Sequence, residues 1–447
     1  MSGRPAATAP RPYRFPDFER RQLDNGLGVW LVPLPDRELV SVQLVADAGA
    51  ASEDEARAGV AALTAHLLVT GTQQLDAAAF AETTERLGIE VSSESSWDSA
   101  RAGFTALGDK LDAGLALLAD MIRSPRLDER EFDRLKAERL NDILQARADP
   151  GRLADERFLA QVYADGAPYG RLSAGSPETV EPLTVGDVRA HHAATVAPDV
   201  TSIVIAGAID PSAAMAAVEA RFGDWTGTGR GHRSIEATQR GGRRIVVVDR
   251  PGSVQSELRI GHLGIERANP RYFGALVMAA LLGGVFGSRL NRRLREELGY
   301  TYGARCSFDP RRSPGPFMAN AAVQTEVTVD AIRELLAQLE RIRAEAPSSA
   351  ELAEVRDFLV GVFPLRFETT AGIAAALEPL AVYGLADDYW HTYRGQIEAV
   401  DEAMVHSTAQ ELVRPDEALI VLTGDASAVR DELEQSGMGS VEVVPAG

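Results

Sequence analysis

The run VGDVRAHHAATVAPDVTSIVIAG at residues 185–207 returns as VDEAMVHSTAQELVRPDEALIVLTG at residues 400–424. Each copy reads as a helix, a Pro-Asp turn, a β-branched strand and a closing Gly. Pro198-Asp199 matches Pro415-Asp416 and Gly207 matches Gly424, an offset of 217 in a chain of 447 residues. A second helix-length stretch follows each Gly, at 211–222 and 426–435. A fixed offset near half the chain length is the signature of a duplication.

Working outward, the two halves also begin alike. LGVWLVP (27–33) and VSVQLV (40–45) are short runs with apolar alternation, and RIVVVD (244–249) and VQSELRI (254–260) are their counterparts. Such runs suit strands of a sheet with one covered face. Between the halves lies TGTGRGHRSIEATQRGG, residues 226–242, whose Gly, Arg and Ser suit a linker with trypsin sites at Arg230, Arg233 and Arg240. The organisation expected is an N-terminal extension (1–19), a first domain (20–225), the linker (226–242) and a second domain (243–447). The fold class is α+β, with helices packed on one face of each mostly antiparallel sheet.

Composition narrows the function. A net charge of −19 with a pI near 4.9 disfavours binding to a phosphate backbone, so no nucleic-acid partner is expected. Cys306 is the single cysteine, which excludes an intramolecular disulfide and a thiolate metal cluster. The first 16 residues hold no apolar secretory core, and no run approaches the roughly 18 apolar residues of a membrane span. A cytoplasmic protein without a membrane partner is expected.

GVAALTAHLLVTGT, residues 59–72, reads as an apolar helix ending at Gly71. It resembles the active-site helix of the inverted-motif zinc peptidases, the pitrilysin, insulysin and mitochondrial-processing-peptidase family, also called M16. That helix carries H-x-x-E-H, in which two His bind zinc and the Glu activates water. In the same frame this chain has Ala62, Ala65 and His66. A methyl group binds no zinc and accepts no proton from water. The family's third ligand, a Glu on a later helix, falls on Asp142 within NDILQARADP (141–150). PYGR (168–171) and GSPE (175–178) fit the family pattern downstream and support this register. The resemblance implies a degenerate zinc site and no metal in this chain. His191-His192 are neighbours that do not share a helical face and read as structural.

The second half holds LLGGVFGSRLNRRLREELGYTY, residues 281–302. It resembles the family's second-domain segment, which carries an Arg and a Tyr seven residues apart that contact substrate near the scissile bond. Carried over, the pair is Arg293 and Tyr300, with Tyr302 as a second candidate tyrosine. Read without the resemblance, Arg292, Arg293 and Arg295 form a solvated helix face salted by Glu296 and Glu297. Gly283, Gly284 and Gly287 are not a phosphate loop, since no Walker pattern is present. They resemble the glycine-rich substrate loop of the non-catalytic mitochondrial processing subunit.

The resemblance spans about residues 20–444. It implies two homologous domains of the LuxS/mitochondrial-processing-peptidase-like metallohydrolase type. It implies a non-catalytic partner subunit of a heteromeric peptidase, in which a homologous zinc-bearing subunit supplies the metal and the two chains form a heterodimer around a peptide. The alternative is a scaffold, like the core subunits of the respiratory bc1 complex.

Overall fold

The computed structural model describes residues 11–164, 166–233, 235–239 and 241–446. The first half contains strands β1 (Glu19–Gln22), β2 (Gly28–Pro33), β3 (Leu39–Ala46), β4 (Glu90–Ser95), β5 (Ala100–Leu107) and β6 (Thr201–Gly207). Its helices are α1 (Val60–Leu68), α2 (Ala77–Leu87), α3 (Leu111–Arg123), α4 (Glu129–Ala148), α5 (Pro150–Val162), the single turn α6 (Pro177–Val180), α7 (Val185–Thr195) and α8 (Pro211–Phe222). The second half has β7 (Arg244–Asp249), β8 (Gln255–Leu263), β9 (Ala304–Phe308), β10 (Pro316–Gln324), β11 (Leu419–Gly424) and β12 (Ser440–Pro445). Its helices are α9 (Tyr272–Ala279), α10 (Thr328–Ala344), α11 (Ser349–Val362), α12 (Thr370–Tyr383), α13 (Tyr389–Glu398), α14 (Glu402–Leu412) and α15 (Ala426–Ser436).

Each half builds one six-stranded sheet, in the orders β1-β2-β6-β3-β5-β4 and β12-β7-β11-β8-β10-β9. The duplication holds to the level of single rungs. Val42 faces Ile205 across β3 and β6, and Leu258 faces Leu422 across β8 and β11, offsets of 216 and 217. β2 runs parallel to β6 as β7 does to β11, and the three further pairs shared by both sheets are antiparallel. The sixth strand breaks the symmetry: β1 adds antiparallel to β2, whereas β12 adds parallel to β7. Periodicity drives the local structure. Along β11 every residue is buried, as expected for a central strand covered on both faces.

That second cover is what the sequence did not reveal. Beyond the helices on one face, each sheet receives one helix from the opposite half. α12 lies on β3 and β6, and α5 lies on β8 and β11. Leu153, Phe158 and Val162 of α5 pack with Val246, Val248, Leu419 and Val421. Ile373, Ala374 and Leu377 of α12 share a core with Trp30, Val32 and Val204. Polar links reinforce the exchange. The buried Arg259 pairs with Asp155 and Glu257 and donates to the Gly151 carbonyl at 2.8 Å. The buried carboxylate of Asp98 accepts from the hydroxyls of Tyr169 (2.5 Å) and Tyr383 (3.1 Å) and from the Arg312 amide (3.0 Å).

Tyr13 and Phe15, in the segment read as an extension, stack on Phe363 and Phe367 of the second half. Residues 226–242 form no helix or strand where described, and they are tied down. His232 pairs with Asp47 at 2.8 Å, and the Ala164 amide donates to the Thr238 carbonyl at 2.7 Å. Arg240 lies outside the described residues. Among the described residues no single helix is long and apolar enough to cross a membrane; Ser349–Phe367 and Thr370–Tyr383 pass that test only together, across a 112° bend.

Candidate functional site

α1 starts at Gly59, whose φ of 100° lies in the left-handed region that favours glycine. The free amides of its first turn are met by an acid the sequence reading missed. Glu53 is buried, and its carboxylate accepts from the amides of Gly59 (3.0 Å) and Ala61 (2.5 Å). Burial raises its pKa to about 7, against the pull of those two amides and of Arg171. The available signal was an acid standing just ahead of a Gly-started apolar helix.

Ala62 and Ala65 are buried, while His66 is exposed at the surface of α1. Helix α4 and strand β4 both pack on α1. They bring Arg139, Asp142, Glu138 and Glu94 into electrostatic range of His66. Partial desolvation lowers the His66 pKa and Arg139 lowers it further, while the three acids raise it. The fold thus places Asp142 within electrostatic range of His66. The donor set does not fit a zinc ion: Ala62 puts a methyl group at one of the two helix ligand positions, and among the described residues no three His, Cys, Asp or Glu side chains are grouped to hold a metal. His191 and His192 sit on α7. Burial lowers both pKa values, His191 to about 4, and the His192 ring bonds the Ile122 carbonyl at 2.9 Å.

In the second half, α9 runs on into a wide helical turn at Ala280–Gly284, and a second wide turn spans Asn291–Glu297. Wide turns of this kind displace side chains from regular helical spacing and recur at functional sites. Gly283 is needed for close packing, since a Cβ there would stand 2.5 Å from the Cys306 amide nitrogen. Gly284 is exposed, and Gly287 faces the Glu354 carboxylate. Arg289 is buried and grips Glu351 through two nitrogens, at 3.1 and 3.3 Å, fixing the segment to the start of α11. Burial alone would raise the Glu351 pKa, but Arg289 and Ser348 hold it at about 2.

Arg293 and Tyr300 do not offer free groups equally. The Arg293 fork is closed: Nε and Nη2 bond Glu334 at 2.8 and 3.0 Å, and Nη1 bonds Glu297 at 3.0 Å. Tyr300 packs half-buried against the core. Tyr302 is 95% exposed. Arg295 stands seven residues before Tyr302, the same spacing as Arg293 and Tyr300. It bonds Glu296 and the Phe286 carbonyl through Nη2 alone and lies 3.7 Å from the Phe286 ring centre. Phe286 is itself 78% exposed at the tip of the glycine turn.

A duplicated α+β fold with a degenerate ligand frame on α1 defines a metallopeptidase scaffold without its metal residues. The comparisons agree. Residues 29–171 match the family model described as Insulinase (Peptidase family M16), and residues 182–359 match that described as Peptidase M16 inactive domain. The chain belongs to the peptidase M16 family. A Mycobacterium tuberculosis protein described as an uncharacterized zinc protease is 26% identical, over 91% of this chain and 92% of its own length. The Helicobacter pylori non-peptidase homolog YmxG is 22% identical, over 80% of this chain and 82% of its own length. The crystal structure of a peptidase M16 inactive domain from Pseudomonas fluorescens superposes with a TM-score of 0.84 at 26% identity, covering 92% of this chain and 98% of that one. A protease structure from Helicobacter pylori, at 20% identity and a TM-score of 0.85 over 91% of this chain and 99% of its own, bears on the fold alone.

Proposed function

We propose that this chain is the non-catalytic subunit of a heteromeric M16 peptidase, holding peptide for a homologous zinc-bearing subunit. The observation that carries the reading is an asymmetry. The α1 frame has lost one zinc ligand and the general base, keeping only His66, whereas the second-half segment keeps an Arg and a Tyr at the family's spacing. Such residues serve catalysis only if the metal chemistry comes from another chain. Of the two pairs of equal spacing, Arg295 and Tyr302 have the more available donors, because carboxylates occupy all three Arg293 nitrogens. Tyr302 would donate its hydroxyl to the oxyanion as it develops, and Arg295 would orient a peptide carbonyl. The acidic balance of the chain favours basic peptides.

The test is reconstitution with an M16 homologue that carries an intact H-x-x-E-H motif. The expected result is a stable complex with much higher peptidase activity than either chain alone. Tyr302→Phe should lower turnover by roughly a hundredfold to a thousandfold, the range for losing one oxyanion donor, with Tyr300→Phe close to wild type. Arg295→Ala should reduce kcat/KM more than kcat. If Tyr300→Phe and Arg293→Ala are instead the damaging changes, the first pair is the functional one. Full activity of all four variants in an assembled complex would make the chain a scaffold.

A further inference from the structure

In the first half the helix over edge strand β4 meets α4, and ionisable groups gather there: His66, Arg139, Asp142 and Glu94. The second half repeats the layout, with α9 and its wide turn over edge strand β9 and α11 alongside. From the capping residue Asp128 to its counterpart Ser348 the offset is 220, which carries Arg139 onto Leu359. At this repeated position the charged cradle is replaced by an apolar pocket of about 180 Å³. Its floor is Ala279, Ala280, Cys306 and Leu359, each under a tenth exposed. Leu276 and Phe308 form half-buried walls, and Gly284 and Ser307 lie exposed at the mouth. Among the described residues no Asp, Glu, Lys, Arg or His lines it.

We propose that this pocket receives one uncharged apolar side chain, of leucine to phenylalanine size, from an extended peptide bound along the second half. The inference rests on the reading that the chain holds peptide. The volume is below the range of sites that enclose a whole small molecule, and it suits a single side chain. The lining is mostly apolar, with hydroxyls only on Tyr272 and Ser307, so a charged occupant would lose its hydration without gaining an ion pair. The rim leads into the proposed peptide-holding segment: Gly284 opens the turn that carries Phe286, and Phe286 backs Arg295. The pocket would therefore set which residue is preferred beside the cleavage point.

The experiment is calorimetry on the full chain alone with blocked pentapeptides, Ala-Ala-Phe-Ala-Ala against all-alanine. The phenylalanine peptide should bind about tenfold to a hundredfold tighter, the gain for burying one such side chain. Ala280→Leu fills the floor and should erase that preference while leaving the alanine peptide unchanged. Ser307→Leu, at the exposed rim, does the same job if Ala280→Leu fails to fold. Equal affinity for the two peptides, or binding of neither, overturns the proposal, as does a preference that survives both filled variants. Tyr302→Phe separates the two readings. A preference kept in that variant supports the pocket whatever the tyrosine does in turnover; a preference lost there but kept in the filled variants overturns the pocket.

Discussion

Replacing Glu53 by Gln should make the stability of this chain less sensitive to pH on the neutral side. The Glu53 carboxyl is buried at the start of α1, with only two backbone amides in hydrogen-bond contact. Burial dominates and moves its pKa from 4.5 to about 7. A carboxyl raised in the folded state favours folding while protonated. Its contribution is complete below pH 4.5 and is lost as pH rises through 7. A shift from 4.5 to about 7, at 1.36 kcal/mol per unit, comes to about 3 kcal/mol over that window. Gln keeps an acceptor for one amide and does not titrate. Denaturant unfolding of both proteins from pH 4.5 to 8 gives the difference directly, because shared groups such as His191 cancel. The wild type should lose about 3 kcal/mol relative to Glu53→Gln across the range. A difference constant to within about 0.5 kcal/mol would show that Glu53 is ionised throughout and that the amides outweigh burial.

Three further outcomes are expected. Asp98→Ala should cost about 3 kcal/mol by thermal or denaturant unfolding, since it leaves the buried Tyr169 hydroxyl, the part-buried Tyr383 hydroxyl and an amide without their acceptor, whereas Tyr383→Phe should cost about 1 kcal/mol; equal losses would mean the carboxylate is not the centre of that network. Ala62→His combined with Asp142→Glu should create stoichiometric zinc binding that survives dialysis, with the parent chain retaining none, because α1 and α4 already bring His66 and residue 142 together; a double variant that stays metal-free would show that the two helices stand too far apart. Trypsin should cut at Arg230 or Arg233 more slowly than at a free linker, and the nicked halves should elute together in size-exclusion chromatography; separation would refute the exchange of α5 and α12.

The duplication was legible because a sheet imposes a strict spacing on its rungs, and residues 185–207 and 400–424 keep it. The lost zinc frame was legible because residues 59–72 resemble the family's active-site helix, and in that frame Ala62 and Ala65 put methyl groups where a ligand and the base belong. What stayed hidden depends on contacts distant in sequence. An amphipathic pattern in α5 or α12 announces a buried face but not which sheet will bury it. The state of Arg293 is decided by Glu334, 41 residues away, and the seven-residue spacing fits Arg295 with Tyr302 equally well. The capping role of Glu53 was hidden because its partners are backbone amides, which leave no mark in composition.

The exchanged helices also set an order on the ribosome. The first sheet is complete in sequence once Gly207 has been made, yet the helix that covers its second face ends at Tyr383. At about 5–20 residues per second, that gap of roughly 175 residues leaves Trp30, Val32 and Val204 uncovered for about 10–35 seconds of synthesis. The segment bearing Tyr13 and Phe15 waits longer still for its seat, which Trp390 completes. A nascent chain of this design is a natural client for a holding chaperone, and a pause or truncation between residues 208 and 369 would release an aggregation-prone fragment in place of a folded first half.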